Sequence, residues 1–200
     1  MYKIIKRILD FLVSLFAIVA LSPVLAITAI AVKADSKGPV FFVQKRIGKD
    51  KKRFNMYKFR SMRTDTPHDM PTHLLNDPDA FITKVGKFLR KSSLDELPQL
   101  FNILKGDMSI VGPRPALWNQ GDLIAERDNY NANSIRPGLT GWAQVNGRDE
   151  LEIPVKAKFD GEYVDRMSLI FDIKCIVDTA LQVVKHEGVV EGGTGTINKL

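Results

Sequence analysis

The sequence has a single cysteine, Cys175, and no cluster of cysteines and histidines at metal-ligand spacing. One cysteine excludes an intrachain disulfide, which suits a reducing compartment. Charge is missing altogether from residues 11–32, although the chain carries 29 lysines and arginines against 23 aspartates and glutamates, a net charge of +6. A basic body joined to an uncharged apolar segment suits an anionic surface, such as phospholipid headgroups, phosphorylated ligands or nucleic acid.

The uncharged segment is long enough to cross a bilayer. Its 22 residues would form a straight helix of roughly 33 Å, against a hydrocarbon core of about 30 Å. A straight span is therefore one interpretation. A secretory signal peptide fits less well, because the apolar run is too long and the pair Ser22-Pro23 interrupts it.

Ser22-Pro23 predicts a bend in this segment. Proline removes a backbone donor and clashes with the carbonyl four residues earlier, and the Ser22 hydroxyl is close enough to satisfy a freed backbone group. Basic residues flank both ends, namely Lys3, Lys6, Arg7, Lys33, Lys37, Lys45 and Arg46. Because basic flanks remain on the cytoplasmic side, we predict that residues 1–36 form a re-entrant membrane helix that enters and leaves one leaflet.

The remaining sequence predicts a mixed α+β body that is mainly helical. Residues 40–44 and 54–60 have the composition of two strands, and residues 64–79 form a proline-rich loop in which His68 and His73 are expected to be simply exposed. Residues 168–185 have the pattern of an amphipathic helix, whose apolar face we expect to pack on the core. Residues 188–200 are expected to be a flexible tail.

Two adjacent acids are the first candidates for chemistry. Ser93, Asp95 and Glu96 match a capping box, which predicts that a helix begins near Ser93 and that its amino terminus keeps both carboxylates ionised. Such a carboxylate can attack phosphorus once a cation offsets the repulsion. Acidic residues also favour first helical turns for stability alone, so a structural role remains open.

Several arginines accompany these acids in stiff, proline- and glycine-rich turns. Arg114 lies between Pro113 and Pro115, and Arg136 precedes Pro137. Arginines held in rigid turns lose little entropy on binding and match phosphate oxygens well. Acidic residues are interspersed among these arginines. The pattern therefore favours an anion-binding site that needs a divalent metal, rather than a groove that binds nucleic acid.

Five sequence blocks resemble the monotopic polyprenyl-phosphate phosphoglycosyl transferases, also called bacterial sugar transferases. The blocks are RKSSLDELPQL at 90–100, NILKGDMS at 102–109, VGPRP at 111–115, RPGLTGWAQVNGR at 136–148 and YKFRSM at 57–62. The resemblance runs over nearly the whole chain. It implies a small, minimal member with a Ser-Pro-broken re-entrant helix over 1–36, a cytosolic catalytic domain over 37–187 and amphipathic helices at the membrane interface.

The resemblance also implies a reaction. Asp95 would attack the β-phosphorus of a UDP-sugar whose sugar is N-acetylated, expel UMP and hold the phospho-sugar until polyprenyl phosphate takes it in ping-pong order. Mg²⁺ would be bound near Asp95 and Glu96, and Glu96 would hold the metal or move the acceptor's proton. The residues implied to bind phosphate or nucleotide are Lys58, Arg90, Arg114, Arg136 and Arg148, and Asp160 matches a further acidic position.

The resemblance places the protein at the cytoplasmic face of the bacterial inner membrane. Its expected partners are a UDP-sugar, undecaprenyl phosphate, phospholipid, a second copy of the chain and downstream glycosyltransferases of capsule or O-antigen assembly, but not nucleic acid. Two alternatives stay open. Asp95 can act as a general base in a direct transfer, or the chain can be a non-catalytic membrane adaptor whose arginines bind headgroups.

Overall fold

The computed structural model describes residues 2–66, 78–147 and 151–185, which form helices and two small sheets. The helices are α1 (Tyr2–Ala20), α2 (Ser22–Asp35), α3 (Lys84–Lys91), α4 (Gln99–Lys105), α5 (Gly121–Asp128), α6 (Trp142–Val145), α7 (Ile153–Arg166) and α8 (Leu169–Lys185). The strands are β1 (Phe41–Ile47), β2 (Arg53–Phe59), β3 (Ser109–Val111) and β4 (Gly138–Thr140). The prediction of a mainly helical α+β chain is confirmed.

Helices α1 and α2 meet at an angle of 64°, with Leu21 between them. Proline at position 23 cannot donate to the Val19 carbonyl, and the Ser22 hydroxyl donates to that oxygen instead at 2.8 Å. The predicted bend and its hydroxyl partner are therefore confirmed. Among the described residues, no single helix is long and apolar enough to cross a membrane, and only the two halves of this bent pair taken together meet that requirement.

Strands β1 and β2 form an antiparallel hairpin that pairs Phe41 with Phe59 at one end and Ile47 with Arg53 at the other. Both predicted strands are confirmed, with β1 extending three residues further than expected. Helix α4 is held against β2 by Asn102, whose amide accepts from the Tyr57 N–H at 3.0 Å and donates to the Asn55 carbonyl at 2.8 Å.

Strands β3 and β4 pair in parallel and bring two stiff turns together. Ser109 lies opposite Gly138, and Val111 lies opposite Thr140. A side chain on Gly138 would place its Cβ only 2.1 Å from the Gly112 nitrogen. Glycine is needed here because two backbones approach closely. The turn that carries Arg114 is thereby joined to the turn that carries Arg136.

The first turns of α1 belong to the same packed body as α4 and β3. Arg7 donates to the carbonyls of Ile103 and Leu104 at 2.7 and 2.9 Å, near the end of α4. The buried Asp10 carboxylate accepts from the Ser109 hydroxyl at 2.7 Å and from the Ile110 N–H at 3.1 Å. The first turns of α1, just before the apolar segment, are thus fixed to α4, which follows the acidic pair, and to β3.

Helix α8 packs with the face opposite to the one expected. Its apolar residues, which we expected to pack on the core, are 42% to 82% exposed: Leu169, Ile170, Ile173, Ile176, Val177 and Leu181. Phe171, Asp172 and Cys175 are buried instead. The expectation was wrong because the charged residue Asp172 is stabilised in the interior by Lys6 at 2.6 Å and by the Tyr163 hydroxyl at 2.7 Å.

Candidate active site

The acidic pair lies in a tight turn between two helices. Helix α3 ends at Lys91, Ser93 adopts a left-handed backbone with φ of +56°, and Leu94–Glu96 forms one turn of 3-10 helix before α4 begins at Gln99. The predicted capping box is wrong, because the Ser93 side chain caps nothing in this left-handed conformation. The turn still presents two consecutive carboxylates with different surroundings.

Glu96 is clamped by two cations. Its Oε1 atom lies 2.7 Å from the Lys58 ammonium and 3.3 Å from an Arg114 guanidinium nitrogen. Burial by itself would raise the pKa of Glu96, but the charges of Lys58 and Arg114 and their hydrogen bonds outweigh it and hold this pKa well below its usual range. Glu96 is therefore a permanent anion at neutral pH.

Asp95 is more deeply buried, at 7% exposure. Desolvation by burial raises its pKa above the usual aspartate value; the charge of Lys58 opposes this rise, Glu96 adds to it, and Arg90 and Arg114 oppose it further. Burial thus works against ionisation of Asp95, in contrast to the stabilisation expected for a carboxylate at a helix amino terminus. A poorly solvated carboxylate among three cationic side chains is a reactive nucleophile when it is deprotonated.

A buried ion pair between Arg127 and Asp160 holds the backbone of the turn that carries Arg114. Arg127 Nη2 lies 2.7 Å from Asp160 Oδ2, and the same nitrogen donates to the Arg114 carbonyl at 3.0 Å. Asp160, predicted as a further acidic position, thus orients Arg127, and Arg127 holds the backbone that presents Arg114. Arg127 was not predicted from the sequence, since α5 and α7 carry no local motif that links it to Asp160.

The remaining predicted phosphate ligands differ in position. Arg90 acts on Asp95 through its charge. Arg136 donates from Nε to the Gly106 carbonyl at 2.8 Å, which ties its turn to the end of α4. Arg148, His68, His73 and the tail 188–200 lie outside the described residues. Phosphate binding stays a prediction for all five residues, namely Lys58, Arg90, Arg114, Arg136 and Arg148.

The dyad of Asp95 and Glu96 offers the kind of ligands that suit Mg²⁺. No group of three or more histidines, cysteines or acids that could hold an ion occurs within residues 2–66, 78–147 and 151–185. Asp95 and Glu96 offer two adjacent carboxylates, and Glu96 is already paired with cations. Mg²⁺ is often bound by one or two carboxylates together with substrate phosphates, so the residues present fit an ion that arrives with a diphosphate.

A family model described as bacterial sugar transferase matches residues 1–186, the bent helices and the dyad included. The chain belongs to this family. An uncharacterized member, the sugar transferase EpsL of Bacillus subtilis (strain 168), is 40% identical over 186 residues, covering 93% of this chain and 90% of the relative.

Longer relatives have named activities. The UDP-glucose:undecaprenyl-phosphate glucose-1-phosphate transferase of Xanthomonas campestris pv. campestris is 42% identical over 190 residues, which is 92% of this chain and 39% of the relative. The undecaprenyl-phosphate galactose phosphotransferase of Salmonella typhimurium is 36% identical over 200 residues, which is 93% of this chain and 42% of the relative. This chain therefore spans about two fifths of the length of these two family members.

Proposed function

We propose that this protein transfers a sugar 1-phosphate from a UDP-sugar to a polyprenyl phosphate. The observation that carries the proposal is the buried Asp95 beside Glu96, with Lys58, Arg90 and Arg114 around them. Cations and a nucleophile gathered in one place suit a diphosphate substrate. The names of relatives that act on UDP-glucose, on UDP-N-acetylgalactosamine and on undecaprenyl phosphate support the same substrates here.

The proposed reaction has two displacements at one phosphorus. In the first, a carboxylate oxygen of Asp95 bonds to the β-phosphorus of the UDP-sugar. The bond from that phosphorus to the bridging oxygen breaks, and UMP leaves with the electron pair. In the second, a phosphate oxygen of polyprenyl phosphate bonds to the same phosphorus, and the bond to Asp95 breaks. The products are polyprenyl-diphosphate sugar and the free Asp95 carboxylate.

The side chains around Asp95 have separate roles in the proposed reaction. Lys58 and Arg114 hold Glu96 as an anion and add positive charge where the diphosphate must lie. Arg90 favours the ionised form of Asp95 and so keeps part of it reactive. Asp95 and Glu96 would hold Mg²⁺, which supplies charge neutralisation for the diphosphate and the leaving UMP. We propose an N-acetylated sugar as the donor's sugar, following the family resemblance.

The exposed apolar faces support an interfacial location. Outward-facing side chains of α1 and α2 include Phe16, Val19, Ile27 and Ile30, each at least 66% exposed, and the apolar face of α8 is exposed as well. Apolar patches of this extent mark lipid or protein contact. We propose that α1 and α2 form a re-entrant helix in the cytoplasmic leaflet of the inner membrane, with α8 lying on its surface.

Replacing Pro23 by alanine tests the re-entrant topology. The alanine N–H can donate to the Val19 carbonyl, so the bend is expected to straighten and one end of the segment to move across the membrane. Cysteines placed near each end are labelled with a membrane-impermeant reagent, and the native Cys175 is buried and adds little background. Same-side labelling of both ends in this variant would contradict a role of Pro23 in turning the chain.

Replacing Lys58 by methionine is expected to change the pH dependence of the reaction. Asp95 must be ionised to attack, and burial raises its pKa, so activity should fall as pH drops through this raised pKa. Lys58 contributes the strongest charge that lowers the pKa of Asp95. Without it, the acid limb of kcat/KM should move to higher pH.

The matched control for this change is Lys105→Met, because exposed Lys105 donates to the hydroxyl of Tyr57, the neighbour of Lys58, at 3.1 Å. It should leave the acid limb in place. Equal profiles for both variants would show that Lys58 does not set the ionisation of Asp95.

Release of UMP tests the proposed function. Purified protein in detergent or nanodiscs with Mg²⁺ is incubated with a panel of UDP-sugars, with and without undecaprenyl phosphate. We expect sustained UMP release only when a suitable donor and the acceptor are both present. If no donor supports release, the chain is better described as a headgroup-binding adaptor, and the proposal fails.

A further inference from the structure

Helix α3 carries a row of positive charge on its exposed side. Four of its eight residues are cationic and none is acidic. Exposed side chains at spacings of three and four residues share one face of a helix. We call this face the α3 stripe, and its members are Lys84, Lys87, Phe88 and Lys91. Phe88 is 63% exposed, and in the part of the chain that the structure describes none of the three lysines pairs with an acidic side chain.

The stripe works against the stability of its own helix. Lys84 is the first residue of α3, where a cation is repelled by the positive end of the helix dipole. Lys87 is a close neighbour of both other lysines on the same face, and like charges at these spacings repel. The exposed Phe88 ring also loses the stabilisation that burial would give. An anionic surface outside the protein would offset these costs, whereas a purely structural role leaves them unexplained.

Helix α3 begins where α2 ends. The carboxylate of Asp35, the last residue of α2, accepts from the Val85 N–H at 3.1 Å. The uncharged segment ends at Val32, and three residues of helix add only about 4.5 Å. Because the headgroup layer is about 5–7 Å thick on each side of a bilayer, the start of α3 lies at headgroup level in the proposed topology. Two exposed lysines, Lys33 and Lys37, flank Asp35 at this level.

The rest of α3 stays beside α2. Leu89, on the inner face of α3, is buried in one apolar cluster with Val32 of α2 and Phe59 of β2. Gly86, on the same inner face, lies so close to the Ser61 carbonyl that a side chain would not fit. The stripe is opposite these contacts. It therefore faces away from the protein along the last turns of α2, where that helix leaves the bilayer.

We infer that the α3 stripe is a docking surface for the anionic phospholipid headgroups of the leaflet that holds α1 and α2. The inference rests on the proposed function for the membrane location and adds a lipid class to it. The lysines lie among the headgroup phosphates, and the Phe88 ring lies at the boundary with the acyl chains. Lysines combined with an aromatic ring are typical of helices at this boundary. Each lysine near an anionic membrane surface contributes roughly fivefold in affinity.

Brominated lipids measure which phospholipid surrounds α3. A fluorophore is attached through Phe88→Cys, and the native Cys175 is buried and adds little background. The full chain is placed in nanodiscs of phosphatidylglycerol and phosphatidylcholine in equal amounts, and only one of the two lipids carries bromine in its acyl chains. We expect brominated phosphatidylglycerol to quench at least about threefold more strongly than brominated phosphatidylcholine. High salt should reduce this preference.

Replacing the three lysines of the stripe by glutamine should abolish the preference for phosphatidylglycerol. The matched control removes the same charge from exposed lysines at the tip of the β1–β2 hairpin, by Lys49→Gln, Lys51→Gln and Lys52→Gln together. Strand β1 has seven residues, so this tip lies about 20 Å from the end of the strand that follows α2. The control should keep the preference.

Three outcomes would overturn the inference. The first is quenching by aqueous iodide but by neither brominated lipid. The second is an equal loss of preference in both triple variants. The third is equal quenching by the two lipids together with a raised KM for undecaprenyl phosphate in the stripe variant, which would assign the lysines to the acceptor. Failure of the proposed function appears separately, as absent UMP release by the wild-type protein, because the quenching needs neither donor nor acceptor.

Discussion

Asparagine in place of Asp95 is expected to lower transfer by at least about 10³-fold and to remove the covalent intermediate. The amide has the size of the carboxylate but carries no negative charge, so it cannot form the mixed anhydride with the β-phosphorus. The raised pKa of Asp95 already shows that its environment disfavours charge. A neutral side chain should therefore be accepted without unfolding.

The measurement uses a UDP-sugar labelled in its β-phosphate and no acceptor. Wild-type protein should retain label after denaturing gel separation, whereas Asp95→Asn should retain none. The matched control is Asp50→Asn at the tip of the β1–β2 hairpin, where φ of +53° suits asparagine and the side chain is exposed. This control should label like wild type.

Two outcomes would contradict the nucleophile assignment. Label retained by Asp95→Asn would move the covalent bond to another residue. Wild-type protein that releases UMP only with acceptor, and never carries label, would instead make Asp95 a general base in a direct transfer. Both outcomes leave the overall reaction intact, so they bear on the mechanism alone.

Methionine in place of Lys6 is expected to destabilise the protein by about 3–5 kcal/mol, because it leaves the buried Asp172 carboxylate without its cation. Lys6 lies 2.6 Å from Asp172 and 3.7 Å from Asp10, and all three side chains are buried. Loss of the ammonium therefore leaves the buried carboxylates of Asp10 and Asp172, between α1 and α8, without a neutralising cation. Thermal and denaturant unfolding in detergent measure the change.

Lys3→Met is the matched control, since Lys3 is an exposed lysine of the same helix. It should shift unfolding by no more than about 0.5 kcal/mol. The double change Lys6→Met with Asp172→Leu should recover much of the lost stability, because replacing both partners of a buried pair is often neutral. The Tyr163 hydroxyl then keeps the Val111 carbonyl as its acceptor. Equal effects of Lys6→Met and Lys3→Met would contradict this account.

Local features of the chain were predictable where neighbouring residues alone determine the conformation. The Ser22-Pro23 bend follows from the missing proline donor, and the hairpin strands follow from their composition. Asp95 and Glu96 became candidates because of their motif and the arginines near them in the sequence. Ser93 shows where such reasoning fails. Its type and spacing match a capping box, but the end of α3 places its backbone in the left-handed region.

The sequence by itself determined the apolar segment, the bend, the strand pair, the family and the candidate dyad, because each depends on covalent geometry or on a contiguous pattern. Only the tertiary structure decided which face of α8 is buried and which carboxylate of the dyad is the strong anion. It also decided how Arg127 and Asp160 support Arg114. Desolvation and ion pairing depend on side chains that are distant in sequence, so no local pattern contains them.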